Sequence, residues 1–326
     1  MSPIKCLDTL SEFDLIKTFF EGIGPNLSEV SEGIGDDCAV INIPAGQSLC
    51  LSLDTMVAGI HFLHDAPPKK IAYRALAAAM SDLAAMGATP SHFSLSLTLP
   101  NANAVWLSEF SLGLKALADL FRFPLVGGDT TCGPLTIGIQ VHGFVQANQV
   151  LTRSKARVGD VLVVTGTLGD AGAALSFLEK DLKRGESLTD AESFLIERYY
   201  KPKPRIEQGL QLRSLASACI DISDGLLADA GHIAKKSRVA LDIDIASLPL
   251  SPALISVCGE GASQLALSAG DDYELLFTIS PEKWEKLKQI DRSKIYTKIG
   301  RVLPGEGVKV NADLGVLENM GYQHFV

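Results

Sequence analysis

The chain contains several stretches in which apolar and polar residues alternate, the pattern of strands that bury one face. In the clearest of them Leu49, Leu51 and Leu53 fall on one side, and Ser52 and Asp54 fall on the other. Asp54 is therefore predicted to point the same way as Ser52 near the carboxyl end of a strand. Strands are predicted in the first half at 38–43, 48–54, 92–99, 124–131 and 135–145.

Apolar residues at helical spacing separate these strands and predict helices at 11–21, 68–87 and 103–121. In the second of these, Asp82 falls on the apolar stripe. A carboxylate there is costly unless it is paired or bound to a metal, although an acid at the helix edge that reaches solvent is the alternative. The first half is predicted to be an α+β domain, with a mixed or antiparallel sheet and helices on one face.

The second half alternates strands with helices and is predicted to be an α/β domain. The boundary falls near 147–160, which gives domains at 1–150 and 151–326. Arg153 lies at this junction, where basic residues are scarce, so it is a candidate phosphate contact or an ordinary solvated charge. Strands are predicted at 161–165, 219–222, 239–245, 273–279 and 295–302. Helices are predicted at 170–180, 189–200, 204–217, 224–237 and 281–290.

Composition narrows the classes of function. The formal net charge of −9 over 326 residues argues against a nucleic-acid partner, which requires a basic surface. No apolar run reaches the ~18 residues of a membrane span, and the first residues lack the pattern of a secretory signal. The six cysteines are scattered without a C-x-x-C pair, which favours reduced thiols and a cytoplasmic location.

The candidate chemistry lies in isolated aspartates. Asp36 and Asp37 follow a Gly-x-Gly, where they form either a polar turn or a site for a hard cation. Asp221 ends an apolar strand, and Ser223 and Asp224 then lead into a helix whose first N–H groups are expected to bind phosphate oxygens. Further isolated acids in strand ends, glycine turns or helices are Asp54, Asp82, Asp129, Asp271 and Asp272.

Common catalytic motifs are missing from the sequence. It has no G-x-x-x-x-G-K-[ST], H-E-x-x-H, G-x-S-x-G or H-R-D, and its glycines are wrongly spaced for a dinucleotide fingerprint. Oxygen ligands without histidine or cysteine favour Mg²⁺ over zinc. Several Mg²⁺ ions would let an acidic site accept a nucleotide and bridge its phosphates.

Six motifs occur in order along the chain. They are Gly33-Ile-Gly-Asp-Asp-Cys-Ala, Ser52-Leu-Asp-Thr-Met-Val-Ala-Gly-Ile-His-Phe, Ser81-Asp-Leu-Ala-Ala-Met-Gly, Gly127-Gly-Asp-Thr-Thr, Asp221-Ile-Ser-Asp-Gly and Asp271-Asp-Tyr-Glu-Leu. Together they resemble the motifs of the thiamine-monophosphate kinase family, and the resemblance extends from about residue 11 to Phe325. The wider superfamily of aminoimidazole ribonucleotide synthetase and selenophosphate synthetase shares the Asp-Asp, Gly-Gly-Asp and Asp-x-Ser-Asp-Gly elements.

This resemblance implies a homodimer paired through N-terminal sheets, and a direct in-line transfer of the γ-phosphate of ATP to thiamine monophosphate at a site with several Mg²⁺ ions. The first domain would bind ATP and Mg²⁺, and the second would complete the substrate site. The implied metal ligands are Asp37, Ser52, Leu53 through its carbonyl, Asp54, Asp82, Asp129, Asp221 and Asp224. The implied ATP contacts are Gly128, Asp129, Arg153 and Ser223, and the implied substrate contacts are His61, Asp271 and Tyr322.

Some expectations have alternatives. Asp271 stands where many relatives have the longer glutamate, and Tyr322 could instead be a core aromatic. Asp36 is expected to cap its turn rather than to bind metal. The activity could also be that of another ATP-dependent synthetase of the superfamily, or the chain could be a nucleotide or metal sensor without catalysis.

Overall fold

A computed structural model describes residues 11–182, 187–311 and 321–322. They form two compact units. The N-terminal unit contains the described residues up to Leu83 together with Thr89–Gln146, and the C-terminal unit contains Ala84–Ala88 and the described residues from Ala147 onward. No helix within the described ranges has the length and apolar character needed to span a membrane.

The N-terminal unit is built on a four-stranded mixed sheet, as predicted. Its strand order is β3-β6-β4-β5, with β4 and β5 parallel and the other pairs antiparallel, while β1 and β2 form a separate ribbon. The elements are α1 (Glu12–Phe19), β1 (Val30–Glu32), β2 (Val40–Ile41), β3 (Gln47–Val57), α2 (Pro68–Ala85), β4 (Thr89–Leu99), α3 (Ala104–Phe121), β5 (Leu125–Cys132) and β6 (Thr136–Gln146).

Strand β3 presents its polar side to the buried face of this sheet. The register pairs Ser52 with Val141, and Val141 with Phe93, which is fully buried. Partners in register share a face, so Ser52 lies on the helix-covered side. Leu51 and Leu53 lie on the opposite side and are 60% and 62% exposed. The alternation therefore predicts the strand correctly, but the leucines are not its core side.

The C-terminal unit alternates strands and helices around one six-stranded sheet of order β12-β9-β11-β7-β10-β8. All neighbouring pairs are antiparallel except β12 and β9. The elements are β7 (Val161–Thr165), α4 (Asp170–Ala174), α5 (Leu178–Leu182), α6 (Asp190–Tyr200), α7 (Ile206–Leu212), β8 (Ala216–Ile222), α8 (Leu226–Ser237), β9 (Ala240–Ile243), α9 (Pro252–Cys258), α10 (Ala262–Ser268), β10 (Glu274–Ile279), α11 (Pro281–Ile290), β11 (Tyr296–Leu303) and β12 (Gly307–Val310).

The helices of this unit depart from the prediction where they are short. The helix predicted at 170–180 is divided by the 3₁₀ turn Leu175–Phe177, and the one predicted at 204–217 ends at Leu212. Helices α9 and α10 were not predicted. Each has seven residues, about two turns, which is too short for a periodic pattern to stand out from its neighbours.

A buried network of acids and arginines ties β7, β10, α4 and α6 together. Arg205 donates to both carboxylate oxygens of Glu274 at 2.5 Å, and Arg198 donates to the same carboxylate at 3.0 Å. Thr165 donates to it at 2.6 Å, and Asp170 lies 3.4 Å from Arg198. Burial alone would raise the pKa of Glu274, but the hydrogen bonds and charge of Arg205 outweigh burial and lower it.

Candidate functional site

In the N-terminal unit a hydroxyl and two carboxylates meet where β3 faces α2. The Ser52 hydroxyl donates to Asp82 Oδ2 at 2.5 Å, and Asp54 lies two residues further along the same face of β3. Burial and then the negative charge of Asp82 raise the pKa of Asp54 from 3.8 to about 6. Asp82 is half-buried, so it is a paired acid and not an edge acid that simply reaches solvent.

This Ser52–Asp54–Asp82 cluster has the donor chemistry of a magnesium site. Mg²⁺ is commonly held by one or two carboxylates, with phosphate oxygens and water completing its coordination. No group of three or more His, Cys, Asp or Glu residues among those described is arranged to hold a metal alone. The cluster fits an ion that is shared with a phosphorylated ligand, because two carboxylates and a hydroxyl leave positions for other oxygens.

Asp129 lies away from this cluster within the N-terminal unit. Its register partner is Ser96, on the sheet face opposite to Asp54, and β5 is the opposite edge strand from β3. Three strand spacings of ~4.8 Å place the two edges about 14 Å apart. Within one copy of the unit, a single ion therefore cannot bind both Asp54 and Asp129.

Gly128 lets β5 approach β4 closely. A Cβ built at Gly128 would overlap the carbonyl oxygen of Leu95, its partner across the two strands. Only a residue without a side chain fits there, so the glycine keeps Asp129 in register at an exposed position. The Gly-Gly-Asp motif thus has a structural role that the sequence did not reveal.

Asp36 and Asp37 occupy an exposed turn between β1 and β2. The Asp37 N–H donates to Asp36 Oδ1 at 2.7 Å, so the Asp36 carboxylate is bonded within its own turn. The Asp37 carboxylate is thereby left on the exposed side of a short polar segment.

His61 and Leu53 lie near the same edge strand. His61 Nδ1 accepts the Val57 N–H at 3.0 Å, and the His61 N–H donates to the Val57 carbonyl at 2.9 Å. Because Nδ1 is an acceptor, the neutral ring carries its proton on Nε2. Among the described strands, β3 pairs only with β6, so it is an edge strand. Leu53 belongs to β3, and alternate carbonyls along this strand make no hydrogen bond within the sheet.

In the C-terminal unit the loop after β8 is held by a residue that the sequence did not single out. Asp229 Oδ2 accepts the N–H groups of Ser223, Asp224 and Gly225 at 3.1, 3.1 and 3.2 Å. The N–H groups of these three residues therefore donate within the protein, which leaves the side chain of Ser223 for the expected ATP contact. Burial and the charge of Asp224 raise the pKa of Asp229 from 3.8 to about 7, against the effect of the three N–H groups.

Two residues expected to contact the substrate, Asp271 and Tyr322, lie beside this loop. The Asp271 N–H donates to the Ser223 carbonyl at 2.8 Å, and the Tyr322 N–H donates to the Asp224 carbonyl at 3.0 Å. The Tyr273 hydroxyl donates to Asp271 Oδ1 at 3.0 Å and orients that carboxylate. Tyr322 is 48% exposed, so it is not a core aromatic.

Arg153 and Asp221 flank Cys219 in the same unit. Burial and then the Asp221 charge raise the pKa of the Cys219 thiol, while the Arg153 charge opposes that rise. Arg153 is exposed and Asp221 is buried at the end of β8. Arg153 follows Thr152, whose carbonyl accepts the Cys219 N–H at 3.1 Å, so Arg153 offers an accessible positive charge beside β8, the strand that contains Asp221.

The sequence did not single out Asp229, and it did not indicate the partners of Asp272 and Tyr273. Asp229 follows the Asp221–Gly225 motif within the first turn of a predicted helix, where an acid that reaches back to free N–H groups is a recognised signal. Asp272 Oδ2 accepts the Gly169 N–H at 2.8 Å. This contact joins positions 103 residues apart, so no local pattern could have indicated it.

Comparisons with known proteins cover both units. The family model described as AIR synthase related protein, N-terminal domain, matches residues 35–145, and the corresponding C-terminal domain model matches residues 157–313. The thiamine-monophosphate kinase of Escherichia coli O157:H7 is 49% identical over 269 residues, which cover 82% of each chain.

Solved structures give the same relationship. The thiamine-monophosphate kinase of Stenotrophomonas maltophilia K279a superposes with a TM-score of 0.82 at 41% identity, covering 87% of this chain and 92% of that one. The structure of AaThiL complexed with AMPPCP and TMP superposes with a TM-score of 0.79 at 33% identity, covering 99% and 100% of the two chains.

Proposed function

The chain belongs to the thiamine-monophosphate kinase family, and from that membership we propose that it transfers the γ-phosphate of ATP to thiamine monophosphate. A phosphate oxygen of thiamine monophosphate forms the new P–O bond, the bond from the γ-phosphorus to ADP breaks, and the products are thiamine diphosphate and ADP. The observation that carries this proposal is the Ser52–Asp54–Asp82 cluster, because two neighbouring carboxylates of which one is strongly desolvated suit a cation that is shared with phosphate.

Several Mg²⁺ ions would be held by oxygen ligands in both units. When bound, they would neutralise phosphate charge and align the triphosphate. Since Asp54 and Asp129 lie on opposite faces and edges of one sheet, we assign them to different ions. The proposed ligands are Asp37, Ser52, the Leu53 carbonyl, Asp54, Asp82, Asp129, Asp221 and Asp224.

Gly128, Asp129, Arg153 and Ser223 are proposed to contact ATP. Arg153 supports this role because its exposed guanidinium can pair with phosphate oxygens. Ser223 contributes its side chain only, since its N–H is bonded to Asp229.

His61, Asp271 and Tyr322 are proposed to contact thiamine monophosphate. The His61 ring can donate through Nε2, the Asp271 carboxylate is oriented by Tyr273, and Tyr322 offers an exposed ring for stacking. Asp271 and Tyr322 both hydrogen-bond to the loop that contains Ser223 and Asp224, so substrate and nucleotide contacts would share one rigid segment of the C-terminal unit.

The transfer needs no strong general base, because the accepting phosphate is already anionic. The chain contributes by holding donor and acceptor in line and by surrounding the transferred group with fixed charges. This is why no residue is named as a catalytic acid or base.

An assay with ATP, Mg²⁺ and thiamine monophosphate tests the proposal, with ADP and thiamine diphosphate as the expected products. Asp129→Asn should abolish turnover and leave circular dichroism and thermal unfolding unchanged. Asp119→Asn is the control, because Asp119 is an exposed acid of the same unit whose carboxylate pairs with Lys115. Near-normal turnover in Asp129→Asn would contradict the proposed ligand role of Asp129.

Two other outcomes of the assay would replace the proposed activity. No thiamine diphosphate from the wild-type chain, with ADP formed on another acceptor of a substrate panel, would indicate a different synthetase of the superfamily. Tight ATP binding without any transfer would indicate a sensor.

A homodimer is proposed through the outer face of the N-terminal sheet. Leu49, Leu51 and Leu53 expose a stripe of apolar surface on an edge strand, which is an unfavourable arrangement for an isolated copy. A second copy is the occupant that the family resemblance implies. Sedimentation equilibrium should give twice the 34.7 kDa of one chain, and the mass of a single chain would contradict the dimer.

We assign ATP and Mg²⁺ binding and dimerisation to residues 1–150, and completion of the substrate site to residues 151–326. A cytoplasmic location is also proposed. Its support is that the described cysteines are free thiols, as expected in a reducing compartment. Cell fractionation would test it, and recovery of the chain outside the cytoplasmic fraction would contradict it.

A further inference from the structure

One carboxylate oxygen in the C-terminal unit accepts three consecutive backbone N–H groups. Asp229 lies in the first turn of α8, is 2% exposed, and bonds through Oδ2 to Ser223, Asp224 and Gly225. Successive N–H groups that converge in this way form a concave site for an anion. Here the chain supplies the anion itself, so the concavity serves to fix the loop.

The opposite side of the loop is also occupied. The Ser223 and Asp224 carbonyls accept from Asp271 and Tyr322 at 2.8 and 3.0 Å. At Gly225, an added Cβ would lie 2.7 Å from the Ser268 carbonyl oxygen, so the backbone there has no room to move. The loop is therefore enclosed on its carbonyl side by other segments and held on its N–H side by Asp229.

Keeping a buried carboxylate at this position is costly for the fold. Asp229 lies close to the Asp224 charge, and neither residue has a lysine or arginine partner among the described residues. A neutral side chain could cap α8 with less electrostatic repulsion, since ordinary caps are neutral as often as charged. The arrangement is understandable if the orientation of the loop matters more than the stability of the helix.

We propose that Asp229 is a positioning residue for the metal- and nucleotide-binding loop. It would touch neither substrate, and would hold Ser223 and Asp224 so that their side chains meet the bound ion and phosphate in a fixed geometry. The inference rests on the proposed function, because it takes Asp224 as a metal ligand and Ser223 as an ATP contact.

Metal binding measured without turnover tests this role. Mn²⁺ replaces Mg²⁺ as the probe, and electron paramagnetic resonance measures its binding to the full chain in the presence of AMPPCP. Asp229→Asn keeps the shape and one acceptor oxygen, but its NH₂ group cannot accept, so the hydrogen bonds to the three loop N–H groups are weakened. Groups that orient metal ligands usually change affinity about tenfold to hundredfold when removed, so a loss in that range is expected.

Asp291→Asn is the matched control. The Asp291 carboxylate accepts the N–H groups of Ile295 and Tyr296 at 3.3 Å each, in the same unit but outside the loop. It should bind Mn²⁺ like the wild type, and the two variants should have similar thermal stability. Equal Mn²⁺ affinity in wild type and Asp229→Asn would overturn the proposal, and so would an equal loss in both variants, since that would be a general structural effect.

The kinase assay separates this inference from the proposed function. Asp229→Asn should raise the Mg²⁺ concentration for half-maximal turnover about tenfold or more, with a smaller change in the KM for thiamine monophosphate. If the wild type forms no thiamine diphosphate, the proposed function fails while the Mn²⁺ measurement still decides the role of Asp229. A variant that needs no additional Mg²⁺ and binds Mn²⁺ normally would refute the positioning role alone.

Discussion

Replacing Glu274 by glutamine should strongly destabilise the C-terminal unit. Glu274 is 1% exposed and accepts hydrogen bonds from Arg205, Arg198 and Thr165. Glutamine removes the negative charge and turns an amide group toward one of the arginine donors. Arg205, which is 6% exposed, would then keep its charge without the carboxylate, whereas Arg198 would retain Asp170 at 3.4 Å. Breaking a buried pair in this way costs about 3–5 kcal/mol.

Urea unfolding followed by one tryptophan measures this loss in the correct unit. The chain has two tryptophans, and Trp106→Phe leaves Trp284 of α11 as the reporter of the C-terminal unit. A loss of 3–5 kcal/mol should lower the midpoint by about 2 M urea. Glu282→Gln is the control, because Glu282 forms an exposed pair with Lys286, and exposed pairs contribute little to stability.

The pH dependence gives a second test of the same reasoning. The folded-state pKa of Glu274 is lowered below 4.5, so its ionised form stabilises the fold above that pH, and this stabilisation disappears as the pH falls through the folded-state pKa. The difference between wild type and Glu274→Gln should therefore shrink below pH 4.5. A midpoint equal to that of Glu282→Gln, or a difference that grows in acid, would refute the argument.

Two further predictions concern the N-terminal unit. Burial and the neighbouring His142 lower the pKa of His92 from 6.5 to about 4. The unfolded chain therefore binds the proton first as the pH falls. Between pH 7 and pH 5 the free energy of unfolding of this unit should decrease by about 2 kcal/mol. Urea unfolding of His92→Gln should lack this part of the loss, and equal losses would contradict the assignment. Gly128→Ala should destabilise the unit by about 1–3 kcal/mol, because the new Cβ meets the Leu95 backbone. Gly127→Ala is the control, because a Cβ there has open space. Thermal unfolding measures both variants, and equal effects would refute this argument.

Local patterns predicted the strands of the N-terminal sheet but not which side of β3 is buried. Alternation shows that every second residue shares a face of the strand, but it does not show which of the two faces is buried. The leucines of β3 would be its core side in an ordinary sheet, yet Ser52 and Asp54 take that side because Asp82 of α2 lies there. The prediction that Asp82 needs a partner was correct, and the partner is the Ser52 hydroxyl.

The parts that could not be predicted depend on long-range contacts. Glu274 pairs with arginines 69 and 76 residues away, and Asp272 accepts from Gly169, 103 residues away. Nothing in the spacing of these residues distinguishes a buried ion pair from a surface charge, because only the fold brings the partners together. The family resemblance supplied the candidate ligands. In the structure Asp54 and Asp82 form one cluster, and Asp129 lies on the opposite face of the sheet.

The acids of the protein differ in what compensates their charge. Glu274 lies in a core where arginines lower its pKa, so the fold itself supplies the cation. Burial and then the charge of Asp82 raise the pKa of Asp54 to about 6. Asp54 has no lysine or arginine partner among the described residues. Glu274 therefore takes its positive charge from arginines of the fold, whereas Asp54, beside a second carboxylate, takes none from the described residues. An external dication with bound phosphate would supply it, which links the electrostatics of β3 directly to the proposed transfer.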